Sequence, residues 1–369
     1  MYAYVLDKNF VALDIIDQYK SFIWTDRYNE YGDFEIYTSV KPEAMKYLKT
    51  GNYLWREDSD YLMIIEDVEI STDIEVGNFL IITGRSLESL LDRRVIWNRM
   101  IFEDTDFQTV IKTLLNDNII SPSVEARKIP NFVFSSTSDS RITSIRVDRQ
   151  YLGENLYDVI SSLCKEYDIG WKVQLSGENF VFQLYAGSDR SFNQNEIPYV
   201  VFSPKYGNLL RSNYLKSDRN IKNVARISGE GKEGSEEKFL TETGSGSGLS
   251  RKEIFVDATG ESRTVYPEGE DEEGNPLPSY ELSDEVYGEQ IRQKGNEELA
   301  KTKILISFEG DVDTTRQFIY GQDFFIGDLV QVINEYDIED VCRITEIVRT
   351  HDDNGEILTP TFTSKTSTE

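Results

Sequence analysis

The hydrophobic period of the chain changes within residues 156–185, LYDVISSLCKEYDIGWKVQLSGENFVFQLY. Up to Tyr167 the apolar residues recur every three or four positions, which predicts an amphipathic helix. The helical positions are Leu156, Val159, Ile160, Leu163 and Tyr167. Beyond Trp171 apolar and polar residues alternate on both sides of the turn at 176–179, which predicts a β-hairpin. A helix followed directly by a hairpin indicates an α+β segment.

A second helix is predicted upstream, in the same segment. Residues 105–108 (TDFQ) fit a capping box, and five apolar residues follow with helical spacing. They are Phe107, Val110, Ile111, Leu114 and Leu115. We therefore assign residues 99–210 to an α+β domain, in which Cys164 lies on the apolar face of the second helix as a core residue.

Residues 1–98 are rich in short strand-like runs separated by turns. The runs are 2–6, 22–24, 34–37, 61–65 and 79–82. One short helix is expected from Pro42 to Gly51, with the proline in its first turn. This pattern predicts an N-terminal β-barrel domain.

Strand-like runs return at 223–228 and again near the C-terminus, at 304–308, 324–333, 341–350 and 357–363. They predict a second β-barrel domain made of residues 211–229 and 302–369. Residues 230–301 lie between its two parts and are predicted to be an acidic insertion of loops and one helix, with the helix at 284–301. Positions 230–300 hold 19 acidic and seven basic residues, a net charge of −12.

Composition limits the possible functions. The 369 residues include 39 Lys and Arg against 66 Asp and Glu, a net charge of −27, which argues against a sequence-independent nucleic-acid clamp. No apolar run approaches the roughly 18 residues of a membrane span, and residues 1–10 lack the pattern of an export signal. We expect no membrane insertion.

No credible catalytic constellation is present. His351 is the single histidine and is predicted at a hairpin tip before Asn354-Gly355. The carboxylate pairs Asp58 with Asp60 and Asp311 with Asp313 occur in turn-like contexts, as expected for solvated acids. The acids at 270–273 do not match a calcium-loop spacing. We therefore predict no catalytic, cofactor-binding or metal-binding residues and no enzyme activity.

Two other patterns receive structural interpretations. Residues 229–234 satisfy G-x-G-x-x-G, but no amphipathic helix follows, so a hairpin loop is preferred to a dinucleotide site. The basic residues fall into two groups that we expect to form ion pairs at a domain or subunit junction. They are Arg85, Arg93, Arg94 and Arg99, and then Arg211, Lys216, Arg219, Lys222 and Arg226.

Several local runs, in this order, resemble the tail-tip hub proteins of siphophages and of prophages of Gram-positive bacteria. They are YGDFE at 31–35, GRSLESLLDRR at 84–94, DRS at 189–191, VFS at 201–203, GNLL at 207–210, GDLV at 327–330 and RITEI at 343–347. The ordered set spans most of the chain. The family is similar in fold to the central hub of contractile baseplates.

This resemblance implies a homotrimer at the end of the tail, in the virion, made in the cytoplasm of the host bacterium. Two similar β-barrels per chain would form a ring of six, matching a tail tube protein or a distal tail protein above and a fibre or spike protein below. The ring would surround a channel for the tape-measure protein and for DNA that passes without specific binding. Alternatives from other classes are a tail-carried cell-wall glycosidase and a receptor-binding module for host polysaccharide.

Overall fold

In the computed structural model the chain divides into two compact units. The large unit comprises Met1–Tyr214 and Ser307–Lys365, and the small unit comprises Leu215–Ile306 and Thr366–Glu369. The structure describes residues 1–40, 44–73, 77–232, 234–266, 277–302, 305–309, 312, 317–353 and 355–364.

The N-terminal β-region is an antiparallel sheet of seven strands within the described residues. Its strands are β1 (Ala3–Leu6), β2 (Ala12–Ile16), β3 (Ser21–Arg27), β4 (Asp33–Ser39), β5 (Tyr53–Trp55), β6 (Leu62–Asp73) and β7 (Gly77–Ser86). They lie in the order β3–β4–β7–β6–β5–β1–β2. All five predicted strands are confirmed, whereas β2 and β5 were not predicted. Helix α1 covers only Ala44–Tyr47, and residues 42 and 43 of the longer predicted helix lie outside the described part.

The middle segment contains both predicted helices and the predicted hairpin. Its strands are β8 (Met100–Asp106), β9 (Phe132–Ser135), β10 (Arg146–Tyr151), β11 (Gly170–Ser176) and β12 (Asn179–Tyr185). Its α-helices are α2 (Phe107–Leu115), α3 (Ser140–Thr143) and α4 (Leu156–Glu166), with 3-10 turns at Leu87–Arg93 and Glu125–Arg127 and a π turn at Asn116–Ile120. The predicted capping box is wrong by one position, because the Asp106 carboxylate caps α2 by accepting from the Thr109 N–H at 2.9 Å.

Strands β13 (Val201–Phe202) and β14 (Asn213–Ser217) follow, with a 3-10 turn at Pro204–Tyr206 between them. The first strand that lies wholly within the small unit is β15 (Val224–Gly229). This strand pairs antiparallel with β16 (Phe239–Gly244) and parallel with β17 (Glu253–Ala258). A 3-10 turn at Gly248–Ser250, a two-stranded ribbon of β18 (Thr264–Val265) and β19 (Tyr280–Glu281), and helix α5 (Asp284–Lys301) complete it.

The small unit has a core of its own, and this changes the interpretation of the acidic region. Helix α5 buries Tyr287 and Ile291 against Ala225 and Ile227 of β15 and Val256 of β17. The residues 230–301 predicted as loops and one helix therefore contain further strands. The strand predicted at 223–228 pairs with them, instead of with the C-terminal strands.

The C-terminal β-region contains β20 (Leu305–Glu309), β21 (Leu329–Ile333), β22 (Glu339–Asp352) and β23 (Gly355–Ser364), with β13 beside β21. Strand β21 is shorter than the predicted 324–333. Strand β22 pairs with β23 along one edge. Its other edge is divided, because residues 339–343 pair with β21 and residues 346–352 pair with β3.

The pairing of β22 with β3 joins the N-terminal and C-terminal β-regions into one sheet. The mainly β class of the fold is confirmed. Within the described residues the sheet is not closed, so the expectation of two separate β-barrels is corrected. A barrel closes when its two edge strands pair with each other. Here β3 and β22 pair across the two regions instead, so neither strand is free to close a barrel of its own region.

Candidate functional site at the junction of the two β-regions

A buried acid lies where β3 meets β22. The Asp26 side chain is only 2% exposed and accepts a hydrogen bond from the Trp24 indole N–H at 2.9 Å. The register places Trp24 opposite Arg349 and Asp26 opposite Ile347. Burial raises the pKa of Asp26 to about 6, against the opposing effect of the Arg349 charge. This carboxyl is enclosed by protein and is therefore poorly placed to act on a substrate.

Two buried arginines converge on one carboxylate at the same place. The Arg56 Nε and Nη2 atoms donate to the two Asp58 oxygens at 2.9 and 2.6 Å, and Arg349 also donates to Asp58. Arg56 and Arg349 are 2% and 5% exposed. Although burial acts in the opposite direction, the Arg56 hydrogen bonds and the Arg349 charge lower the pKa of Asp58. Removing Asp58 would leave the two buried guanidiniums without their shared carboxylate. The cluster therefore stabilises the junction.

A second cluster centres on Arg343 of β22. Its Nη2 donates to Asp168 Oδ2 at 2.8 Å, and its guanidinium lies 5.0 Å from the centroid of the Tyr28 ring. Tyr28 in turn packs against two glycines: a Cβ on Gly170 or Gly327 would lie 2.2 or 2.4 Å from Tyr28 Cε2. The α+β segment and both β-regions thus meet around one aromatic ring.

Three further ion pairs lie at or near the junction, and the one between Arg27 and Glu346 crosses it. Arg27 of β3 donates to Glu346 of β22 at 2.6 Å and to Asp33 of β4 at 2.5 Å. Arg190 donates to the buried Asp328 at 2.8 Å. Burial and pairing of this kind suit arginine, whose planar fork matches a carboxylate.

Of the predicted carboxylate pairs the structure describes Asp58 with Asp60, and each of these two acids is bound by a basic side chain. Asp58 is held by two arginines, and Asp60 lies 2.7 Å from Lys172 Nζ in a shallow cleft of about 380 Å³. Asp311, Asp313 and residues 270–273 lie outside the described residues. In the described part of the chain no group of His, Cys, Asp and Glu could hold a metal ion.

His351 lies near the end of β22, opposite Glu356 across the predicted hairpin, and its Nδ1 is 3.1 Å from the Tyr19 hydroxyl. Cys164 and Cys342 are buried, and burial raises the pKa of both thiols, as expected for core residues. Residues 229–234 begin at the last residue of β15 and lead into β16, so the predicted hairpin is confirmed for its described residues.

The predicted basic groups form only part of the observed ion pairs. Arg85 donates to Glu66 at 2.6 Å and to Asp92 at 3.1 Å, as expected. Arg93, Arg94 and Arg99 pair with no carboxylate among the described residues. The arginines of the junction were not predicted. Arg27, Arg343 and Arg349 contact acids 175 or more positions away in the sequence, and Arg56 contacts Asp58, which was expected to be a solvated turn acid.

A family model covers nearly the whole chain. The Siphovirus ReqiPepy6 Gp37-like protein family matches residues 2–362. The chain belongs to this siphovirus family. The resemblance to a siphophage tail protein family that the sequence suggested is thereby confirmed.

Solved structures share this fold over their full length. The 43 kDa tail protein of prophage MuSo2 from Shewanella oneidensis aligns with a TM-score of 0.56 at 13% identity, covering 100% of both chains. The tail protein from Neisseria meningitidis MC58 aligns with a TM-score of 0.56 at 11% identity, covering 100% of this chain and 98% of that one. Prophage tail protein gp18 from Listeria monocytogenes EGD-e gives 0.51 at 13%, covering 98% and 94%. No curated protein matches the chain.

Some of the runs that suggested the family lie at the junction. The run at 31–35 contains Asp33, the run at 327–330 contains Gly327 and Asp328, and the run at 343–347 begins with Arg343 and contains Glu346. In this siphovirus family member, Asp33 and Glu346 both accept from Arg27, and Gly327 and Arg343 both lie against the Tyr28 ring. Among the described residues, no helix has the length and apolar character needed to cross a membrane.

Proposed function

We propose that this chain is a non-enzymatic structural component of a siphovirus tail tip, a homotrimeric hub. The proposal rests on one observation: the whole chain matches a siphovirus family and shares a fold with prophage tail proteins over their full length. In this role it would join the tail tube protein or distal tail protein to a distal fibre or spike protein.

The junction supports a structural role. A hub must keep its two β-regions in a fixed arrangement, and here a shared strand pairing and the contacts of Arg349 with Asp58 and of Arg27 with Glu346 connect them. Breaking a buried ion pair typically costs about 3–5 kcal/mol, so separating the regions would be expensive.

The charge of the chain supports a channel role. A ring of three copies would carry a formal charge of three times −27 around a passage for the tape-measure protein and then DNA. Carboxylates repel phosphates, so an acidic lining would let DNA pass without binding. We place the mature protein in the virion tail, after synthesis in the host cytoplasm.

The assembly mass tests the proposal. The chain has a mass of 42.5 kDa, so a trimer has a mass of about 128 kDa, three times that value. Light scattering after size-exclusion chromatography, over a range of concentrations, should show the trimer. A chain that remains monomeric at high concentration and is absent from purified virions would contradict the hub.

A further inference from the structure

A second surface cleft, of about 400 Å³, lies in the large unit and contains three arginines. They are Arg93 and Arg94 at the end of the 3-10 turn Leu87–Arg93, and Arg127 at the end of the turn Glu125–Arg127. The remaining lining residues are Asp92, Val95, Trp97, Val124 and Ala126. We call this surface the arginine cleft.

Neutral groups hold two of these arginines, Arg94 and Arg127, in place. Arg94 Nε donates to the Arg127 carbonyl at 2.7 Å, which couples the two turns. Arg127 Nη2 donates to the Val95 carbonyl at 2.6 Å and to the Asn118 side-chain oxygen at 3.1 Å. Its guanidinium lies 4.9 Å from the centroid of the Trp97 ring. The contacts fix positions without neutralising charge.

No acid compensates the cleft among the described residues. None of the three guanidiniums pairs with a carboxylate there. Asp92, which also lines the cleft, is bound by Arg85 at 3.1 Å and by the Asn155 side-chain N–H at 3.0 Å. Burial and the neighbouring Arg94 charge lower the pKa of Arg127, as expected when like charges lie together. In a chain with 27 excess acids, three such arginines in one cleft indicate a site for an anion.

We propose that the arginine cleft binds a small ligand that joins a phosphate group to a ring able to pack on an indole, as in a sugar phosphate or a nucleotide. Arginine forks match phosphate oxygens in geometry and charge. Trp97 is 55% exposed and offers an indole face to the ring. The cleft volume is in the range of roughly 300–1,000 Å³ typical of small-molecule sites.

A compact ligand fits better than a long polyanion. The phosphates of a polymer that extend beyond the cleft would be repelled by the acidic remainder of the protein, whereas a single phosphate group can pair with the arginines inside the cleft. A carboxylate presents fewer oxygens to three guanidiniums than a phosphate does. The inference depends on this local geometry and is independent of the proposed hub role.

Calorimetric titration of the full-length protein tests the proposal. We expect saturable binding of thymidine monophosphate or glucose monophosphate, at least about tenfold tighter than that of thymidine or glucose, because the phosphate supplies the charged contacts. Arg93→Gln should weaken binding by about tenfold, since Arg93 is exposed and its loss breaks no hydrogen bond in the structure.

Arg99→Gln is the matched control. It removes the same charge from a nearby exposed residue that bonds Gln150 at 2.8 Å and does not line the cleft. Its affinity should stay within about twofold of the wild type. Trp97→Leu should weaken binding of the phosphate ligand that binds more tightly to the wild type, because its ring packs on the indole. The relative affinities of the nucleotide and the sugar phosphate for the wild type show which of the two ligand types the cleft prefers.

Three results would overturn the proposal. One is that neither phosphate ligand shows saturable binding at concentrations up to about 10 mM, which is above the dissociation constant of a weak specific complex. Another is equal binding of the ligands with and without phosphate. The third is an Arg99→Gln variant that loses as much affinity as Arg93→Gln. A cleft that binds a glutamate-rich peptide but neither phosphate ligand would also overturn the proposal.

Discussion

The junction and the arginine cleft use the same residue type in opposite ways. At the junction Arg56 and Arg349 are buried and share the Asp58 carboxylate. In the cleft Arg94 and Arg127 are held by carbonyl and amide oxygens and lie beside an exposed indole. In so acidic a chain, an arginine without an acid is therefore more informative than an arginine with one. Paired arginines maintain the fold, and unpaired ones offer charge to a ligand.

The largest expected effect is at the junction. Arg349→Ala removes a buried guanidinium that contacts Asp58 and that acts on the buried Asp26 more strongly than the other nearby positive charge, Arg56, does. We expect the free energy of unfolding of the large unit to fall by about 3–5 kcal/mol, because the buried Asp26 would lose the larger of its two compensating charges. Urea unfolding followed by tryptophan fluorescence measures this, since Trp24 donates to Asp26.

Arg146→Ala is the control for that prediction. Arg146 is 3.9 Å from Asp104, and both side chains are mostly exposed. Its loss should cost less than about 1 kcal/mol. Equal losses in the two variants would mean that the junction network does not hold the β-regions together.

The next effect depends on pH and concerns Glu88, a buried acid whose Oε1 accepts from the Val173 N–H at 2.7 Å. Burial raises the pKa of Glu88 to about 7. The folded state therefore binds this proton more tightly than the unfolded chain does, so the contribution to stability is full below about pH 4 and is lost as pH rises through about 7. Glu88→Gln keeps the acceptor and stays neutral.

The Glu88→Gln variant should match the wild type near pH 4 and exceed its stability by roughly 3 kcal/mol near pH 8. Thermal unfolding of both proteins at the two pH values gives the comparison. A difference in melting temperature that is the same at both pH values would show that ionisation of Glu88 is not the cause.

Packing around Tyr28 gives an intermediate effect. In Gly170→Ala the new Cβ would lie 2.2 Å from Tyr28 Cε2 and 2.8 Å from Tyr185 Cζ. We expect a loss of about 1–3 kcal/mol in unfolding free energy, because the rings must shift in a packed interior. Gly260→Ala is the control, since no atom lies within 4 Å of its Cβ position. A Gly170→Ala protein as stable as the control would show that the junction tolerates repacking.

The smallest effect is expected in the cleft. Without ligand, Arg93→Gln should change the unfolding free energy by less than about 0.5 kcal/mol, because the residue is exposed and unpaired. Denaturant titration beside Arg349→Ala measures the contrast. A large loss at Arg93 would make the cleft arginines structural and would remove the distinction between the two regions.

Local pattern was sufficient to predict much of the fold. Helix α5 covers the predicted residues 284–301. It could be predicted because the residues that stabilise its start, the Ser283 cap and the acids of the first turn, are adjacent in the sequence. The hairpin of β11 and β12 likewise follows from alternation around a short turn. Strands β16 and β17 were missed although Ile254, Val256 and Ala258 alternate, because the acidic composition concealed the period.

Long-range contacts could not be predicted in the same way. Asp58 and Arg349 are 291 positions apart, and no spacing rule relates them. Strand β21 was predicted too long because Gly327 adopts a positive φ of 89°, and the Asp328 carboxylate accepts from the Phe325 N–H at 3.0 Å, which makes a turn. The arginine cleft was not predicted either, because residues 94–124 separate its two turns and because Arg93 and Arg94 were expected to form ion pairs with acids.

Labelled-particle microscopy tests the hub role most directly. A copy of this chain carrying a terminal tag, incorporated into virions and marked with a gold-labelled antibody, should show density on the axis at the distal end of the tail. Density at the tail periphery, or no label on purified particles, would contradict the hub.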